Sequence, residues 1–151
     1  MRRYLLDTGI LVHIARRSDL YKQIEKEQQL GANDSLPMIS VVSYGEILAF
    51  AHQRKWGIEK RHEIQKVINK LIVIDINSGD NNLLESYAEI DAYSKGKLQG
   101  HSLGGSAITM GKNDLWIAAT SKVSKAKLLT IDGDFDHLNG KFIEVVKYQQ
   151  Q

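Results

Sequence analysis

The sequence predicts an α/β fold, a three-layer α/β/α sandwich around a central, mainly parallel sheet. Short apolar runs of strand length alternate with longer stretches at helical spacing, a pattern suited to a sheet covered on both faces. Polar clusters rich in glycine, asparagine and aspartate punctuate the alternation. At 151 residues the chain suits one core. No internal repeat or domain boundary divides it, so residues 1–147 are expected to form the domain and 148–151 a frayed tail.

Tyr4-Leu5-Leu6 is the first strand, ending in the turn Asp7-Thr8-Gly9. A helix is expected from about Ile10 to Leu30, weakened between His13 and Asp19, followed by a loop at Gly31–Ser35. Leu36–Val42 is a second strand, with Pro37 confined near its start. Ser43 and Glu46 stand at capping-box spacing ahead of the run Ile47–Ala51. Gly57 interrupts, Ile58–Lys70 resumes helical spacing, and Leu71–Ile74 is a compact strand. Leu83, Leu84, Tyr87, Ala88 and Ile90 give a helix to about Tyr93. Ser94–Gly111 lacks regular periodicity and is expected to be an exposed, mobile connection. A helix begins at Asn113 or Asp114, Lys127–Ile131 is a strand, Asp132–Phe135 a turn, and Phe142–Val146 the last strand.

Composition narrows the functional classes. With 42% hydrophobic and 25% charged residues, the chain reads as a soluble globular protein. No apolar run reaches membrane-spanning length. Arg2 and Arg3 could open a signal peptide, but Asp7 breaks the apolar stretch and no small-residue cleavage site follows. The absence of cysteine excludes disulfides and thiolate metal sites, so a reducing compartment, the cytoplasm, is expected. A formal charge of +2 permits a polyanionic ligand without demanding one.

Four acids stand where strands end or helices begin: Asp7, Glu46, Asp114 and Asp132. In a parallel sheet the strand C-termini share one edge, so distant segments can aim carboxylates into one cleft. Such a group repels itself unless a cation intervenes, and a hard divalent ion prefers oxygen ligands. No histidine–cysteine set of the kind that holds zinc is present. One ion, or two roughly 3.5–4 Å apart, could polarise a phosphodiester and activate water. Each acid also has a structural reading: Asp7 as an Asx turn, Glu46 as a cap partner, Asp114 as a first-turn acid at the helix dipole, Asp132 and Asp134 as turn residues around Gly133.

Four segments carry a resemblance to a known family: Tyr4–Val12, Ile39–Ile47, Gly111–Thr120 and Leu128–Phe135. Their order and separations resemble the PIN-domain nucleases, especially the VapC-like toxins of type II toxin–antitoxin pairs. The resemblance implies that Asp7, Glu46, Asp114 and Asp132 are the catalytic, metal-binding acids. It gives Thr8, Asn113, Thr130 and Asp134 supporting roles. It further implies Mg²⁺ or Mn²⁺, endonucleolytic cleavage of RNA to 5′-phosphate and 3′-hydroxyl ends, a homodimer, and a small antitoxin partner. The segment around Lys95–Gly111 departs from a compact toxin. An RNA-processing or quality-control nuclease, a DNA nuclease, and a non-catalytic RNA-binding or interaction module remain as alternatives.

RNA needs positive charge outside an acidic cleft. Arg16, Arg17, Lys95, Lys97 and Lys112 are the candidates, followed by Arg54 and Lys55; ordinary solvent exposure is the competing reading. Trp116 and His101 could touch bases, or serve as core and surface residues respectively.

Overall fold

Period-2 alternation in the central strands decides which side chains enter which half of the core. In the computed structural model, which describes residues 1–150, strands β1 (Arg2–Leu6), β2 (Ser35–Ser40), β3 (Ile72–Ile74), β4 (Lys127–Thr130) and β5 (Val145–Lys147) form one sheet. Every strand pairing is parallel and the order is β3-β2-β1-β4-β5. Tyr4, Leu6, Ile39 and Leu129 point into one apolar layer, and Leu5, Met38 and Leu128 into the other.

Helices α1 (Thr8–Arg16), α2 (Asp19–Gln28), α3 (Val41–Gln53) and α4 (Ile58–Asn69) fill the first layer with Ile10, Leu11, Leu20, Ile24, Ile47, Ile64 and Ile68. Helices α5 (Asn81–Ser94) and α6 (Lys112–Ser124) fill the second with Ile90, Tyr93, Leu115, Ile117 and Ala118. The sandwich is therefore three-layered with a parallel centre, as the sequence predicts. No helix among the described residues is long and apolar enough to cross a membrane.

Several local expectations need correction. The helix foreseen over Ile10–Leu30 is two helices. Arg17 turns left-handed at φ 49°, and the Ser18 hydroxyl accepts the Tyr21 N–H to start α2. The Ser43–Glu46 capping box does not form. Helix α3 starts three residues sooner, capped by Ser40 accepting from Val42 N–H; Ser43 is buried inside the helix, and Glu46 turns to another partner. Pro37 sits before the part of β2 that pairs with β3, so its missing N–H costs that ladder nothing. The turn after β4 winds into a 3-10 helix, Gly133–Leu138, and the last strand starts at Val145 rather than Phe142.

The connection after α5 is irregular but anchored. Leu98, Leu103 and Ile108 pack on the second layer, Met110 is buried, and the Ile108 N–H donates to the Ser94 carbonyl at 2.7 Å. Tyr148, expected to open the frayed tail, is buried; its hydroxyl donates to Glu27 and accepts from Gln28. Gln151 lies outside the described residues.

Phe135 pins the 3-10 helix to the second layer with no exposed surface. Phe135→Ala should lower unfolding free energy by about 3–5 kcal/mol, read from urea denaturation; a loss under ~1 kcal/mol would show that the helix is held otherwise.

Candidate active site

Strand order reverses between β1 and β4, and a sheet of this kind opens a crevice outside the carboxyl ends of the strands at such a point. Asp7 follows β1 directly and caps α1. Its Oδ1 accepts the Thr8 N–H at 2.8 Å, and its Oδ2 accepts the Thr130 hydroxyl at 2.7 Å. Thr130, at the end of β4, also accepts the Asp132 N–H at 3.0 Å. The Asp132 carboxylate then accepts the Asp134 N–H at 2.9 Å and so starts the 3-10 helix. From the other side, the Thr8 hydroxyl donates to Glu46 Oε1 at 2.8 Å, tying α3 to the start of α1.

These bonds and the first turn of α6 place Asp7, Glu46, Asp114 and Asp132 on one cavity of about 360 Å³. Asp114, Asp132 and Asp134 each offer a carboxylate oxygen within 4.8 Å of the others. Asp7 and Glu46 border the same cavity without belonging to that close trio. Thr8 and Thr130 take positions beside the acids; Asn113 is exposed on the first turn of α6 and does not line the cavity.

Electrostatics set the group apart from ordinary turn residues. Burial pushes the Asp114 carboxyl up to about 7, and Asp7, Asp132, Asp134 and Glu46 add like-charge repulsion. Burial also raises Asp7 against the opposing pull of the Thr130 and Thr8 hydrogen bonds, with Asp132 and Glu46 adding to the rise. Among the described residues, no ion pair neutralises any of these acids. A helix N-terminus alone would favour ionised Asp114; desolvation and neighbouring acids win. An oxygen-rich, under-neutralised trio fits a hard divalent cation such as Mg²⁺ or Mn²⁺.

The cavity wall holds residues that position alone did not single out. Gly9, Val12, His13 and Arg16 form one face of α1 at i, i+3, i+4 and i+7, and Glu46, Phe50 and Arg54 one face of α3. Arg16 and Arg54 are already candidate RNA contacts; for Gly9, Val12, His13 and Phe50, the helical spacing projected from Asp7 and Glu46 is the signal that could have found them. Gln150 also borders the cavity, and nothing in the sequence points to it. His13 is buried, its Nδ1 lies 2.8 Å from Ser18 Oγ, and burial followed by the Arg16 charge holds it below its ordinary value. A Cβ at Gly9 would meet Ile131 Cδ1 at 2.9 Å, so a larger residue there would require the Ile131 side chain to shift.

Of the other candidate cations, Arg17 lies outside this cavity, Lys95 pairs with Asp91 at 3.1 Å, and Lys97 and Lys112 are exposed. Arg54 borders the cavity with its guanidinium 4.6 Å from the centre of the Phe50 ring. Lys55 has a left-handed backbone. Trp116 packs on Tyr87, with ring centres 4.3 Å apart, and His101 lies beside Phe142.

The profile of the PIN domain family matches residues 4–141. Comparison with curated proteins finds no match. Among solved structures, VapBC2 from Rickettsia felis bound to a promoter DNA fragment aligns at TM-score 0.72 and 20% identity, covering 97% of this chain and 98% of that one. VapBC-1 from nontypeable Haemophilus influenzae gives 0.69 at 19%, covering 95% and 96%. FitAcB from Neisseria gonorrhoeae gives 0.65 at 22%, covering 94% and 95%. At these identities the likeness is one of fold.

A carboxyl raised on folding stabilises the native state while it stays protonated. For Asp114 that contribution is complete below about pH 4 and is lost as pH rises through about 7. Metal-free protein should therefore melt at a lower temperature at pH 8 than at pH 5, and Asp114→Asn should flatten the decline. Parallel melting curves for the two proteins across that range would contradict the assignment.

Proposed function

The chain belongs to the PIN-domain family, and we propose that it is a metal-dependent endoribonuclease, the toxin of a type II toxin–antitoxin pair, cleaving RNA to 5′-phosphate and 3′-hydroxyl ends. The observation that carries this reading is the meeting of Asp7, Glu46, Asp114 and Asp132 on one cavity, with none of them in an ion pair among the described residues. A structural role for each acid separately requires no such meeting.

Asp7, Glu46, Asp114 and Asp132 would hold one or two Mg²⁺ or Mn²⁺ ions, with Asp134 as an auxiliary ligand. A bound ion supplies positive charge that polarises the phosphate and eases deprotonation of water. The chain's own residues supply orientation. Thr130 fixes Asp7 Oδ2 and anchors Asp132 through its backbone, while Thr8 aims Glu46 into the cavity. Occupied hydrogen bonds of this kind restrict the carboxylates to productive rotamers. Arg16 and Arg54, on the wall of the same cavity, would steady the phosphates flanking the scissile bond. Asn113 would act at the rim, from its exposed place beside Asp114. Arg17, Lys95, Lys97 and Lys112 remain proposed backbone contacts.

The toxin assignment draws on the names of two similar structures, a toxin–antitoxin complex from Klebsiella pneumoniae and VapBC-5 from Mycobacterium tuberculosis, a member of the VapBC family of toxin–antitoxin systems. A small antitoxin and a homodimer belong to the same proposal, as does a cytoplasmic location. Co-expression with a short protein encoded beside this chain should relieve growth arrest and suppress cleavage.

Purified protein should cleave RNA with Mg²⁺ or Mn²⁺, stop with chelator, and leave matched DNA intact. Asp7→Asn and Asp114→Asn should each reduce turnover more than about 100-fold, and Thr130→Val about 10–100-fold, with far-UV circular dichroism unchanged. Undiminished cleavage by both Asn variants, with both product ends mapped, would remove the acids from the chemistry. RNA binding without cleavage under every metal would favour a non-catalytic module.

A further inference from the structure

The opposite edge of the sheet carries the opposite charge. A cleft of about 490 Å³ lies there, lined by Arg2, Arg3, Lys122, Lys125, Lys127 and Lys141 against a single acid, Glu144. Six cations around one cleft stand out in a chain whose formal charge is only +2. Three of them are paired: Arg2 with Asp34 at 2.9 Å, Lys122 with Glu89 at 3.2 Å and Lys127 with Glu144 at 3.6 Å. Arg3, Lys125 and Lys141 are exposed and have no acidic partner among the described residues. The Arg3 guanidinium donates to the Ser124 carbonyl at 3.2 Å, which ties the first strand to the end of α6. Phe142 adds an aromatic wall, braced by Tyr93 with ring centres 5.1 Å apart.

The same elements reach both edges. Strand β1 starts at Arg2 and Arg3 and ends just before Asp7; β4 starts at Lys127 and ends two residues before Asp132; α6 carries Asp114 in its first turn and Lys122 in its last, with Lys125 directly after it. A strand of five residues spans roughly 17 Å and a helix of thirteen roughly 20 Å. The acidic cavity and the basic cleft are thus held a fixed distance apart by rigid elements.

We infer that this basic cleft is a second binding site for the phosphodiester backbone of single-stranded RNA, engaging substrate remote from the cut. The inference rests on the endoribonuclease reading for the identity of the polyanion. Unpaired cations lining one cleft suit a nucleic-acid backbone. An acidic protein would satisfy the charge, but it would not explain why the cleft shares its supporting elements with a site for phosphodiester chemistry. A dinucleotide held by its one phosphodiester in the acidic cavity is too short to cross the roughly 17 Å of β1 to the cleft. An RNA of about 30 nucleotides can occupy both.

The test is the triple variant Arg3→Gln/Lys125→Gln/Lys141→Gln, compared with the native chain at matched melting temperature. In chelator, its affinity for the ~30-nucleotide RNA should fall roughly tenfold, and the slope of log affinity against log salt should lessen by about 2. With metal, KM for that RNA should rise at unchanged kcat, while kcat/KM for the dinucleotide stays native. Unaltered affinity and slope, alongside normal cleavage, would overturn the cleft and spare the nuclease. Equal losses on both RNAs would also overturn it. Displacement of the RNA by polyglutamate at equal charge would reassign the cleft to an acidic protein. Lost RNA affinity in the variant, with no cleavage by the native chain, would spare the cleft and sink the nuclease reading.

Discussion

The Thr130 hydroxyl joins two strand ends at the point where the sheet reverses its order. It gives its proton to Asp7 and takes the Asp132 N–H, so one oxygen sets the distance between the first acid and the last. Thr130 is fully buried, and valine would keep its shape while leaving a buried carboxylate oxygen without its donor. Around that atom the rest is arranged: β1 and β4 are neighbours, α1 starts on Asp7, and the 3-10 helix starts on Asp132.

Holding these carboxylates together opposes stability. Asp114 and Asp7 are both shifted toward the protonated form by burial first and by their acidic neighbours next. Two continuous apolar layers offset that penalty, with Leu5, Leu6, Leu128 and Leu129 wholly buried on the two strands that carry the acids. The repulsion is concentrated on one edge because the strands run the same way. An antiparallel partner for β1 would have sent Asp132 to the far side of the molecule. Parallel pairing and the acidic cavity are therefore one structural fact.

Much of this was legible because it depends on local rules. Apolar runs marked β1 and β4, and the acids that follow them had to lie at the strand exits. The failures arose where a polar side chain had two possible partners. Ser43 and Glu46 have the spacing of a reciprocal cap, but Ser40 caps sooner and Thr8, thirty-eight residues away in sequence, claims Glu46. Ser18 could cap a helix or sit inside one; left-handed Arg17 decided for the cap. Tyr148 looked like tail because its partners, Glu27 and Gln28, lie on a helix more than a hundred residues earlier. Asp134 read as an auxiliary turn acid, yet its carboxylate joins Asp114 and Asp132 in the tightest cluster. Spacing alone gives no account of a loop's final curvature.

The bond from Thr130 to Asp7 spans 123 positions of sequence. During synthesis from the N-terminus, Asp7 emerges long before Thr130, the residue on β4 that orients it. A nascent polypeptide still short of β4 has nothing to set Asp7 Oδ2 and no neighbour for that flank of β1. The acidic cavity is thus completed late, only once translation has passed Thr130 and Asp132.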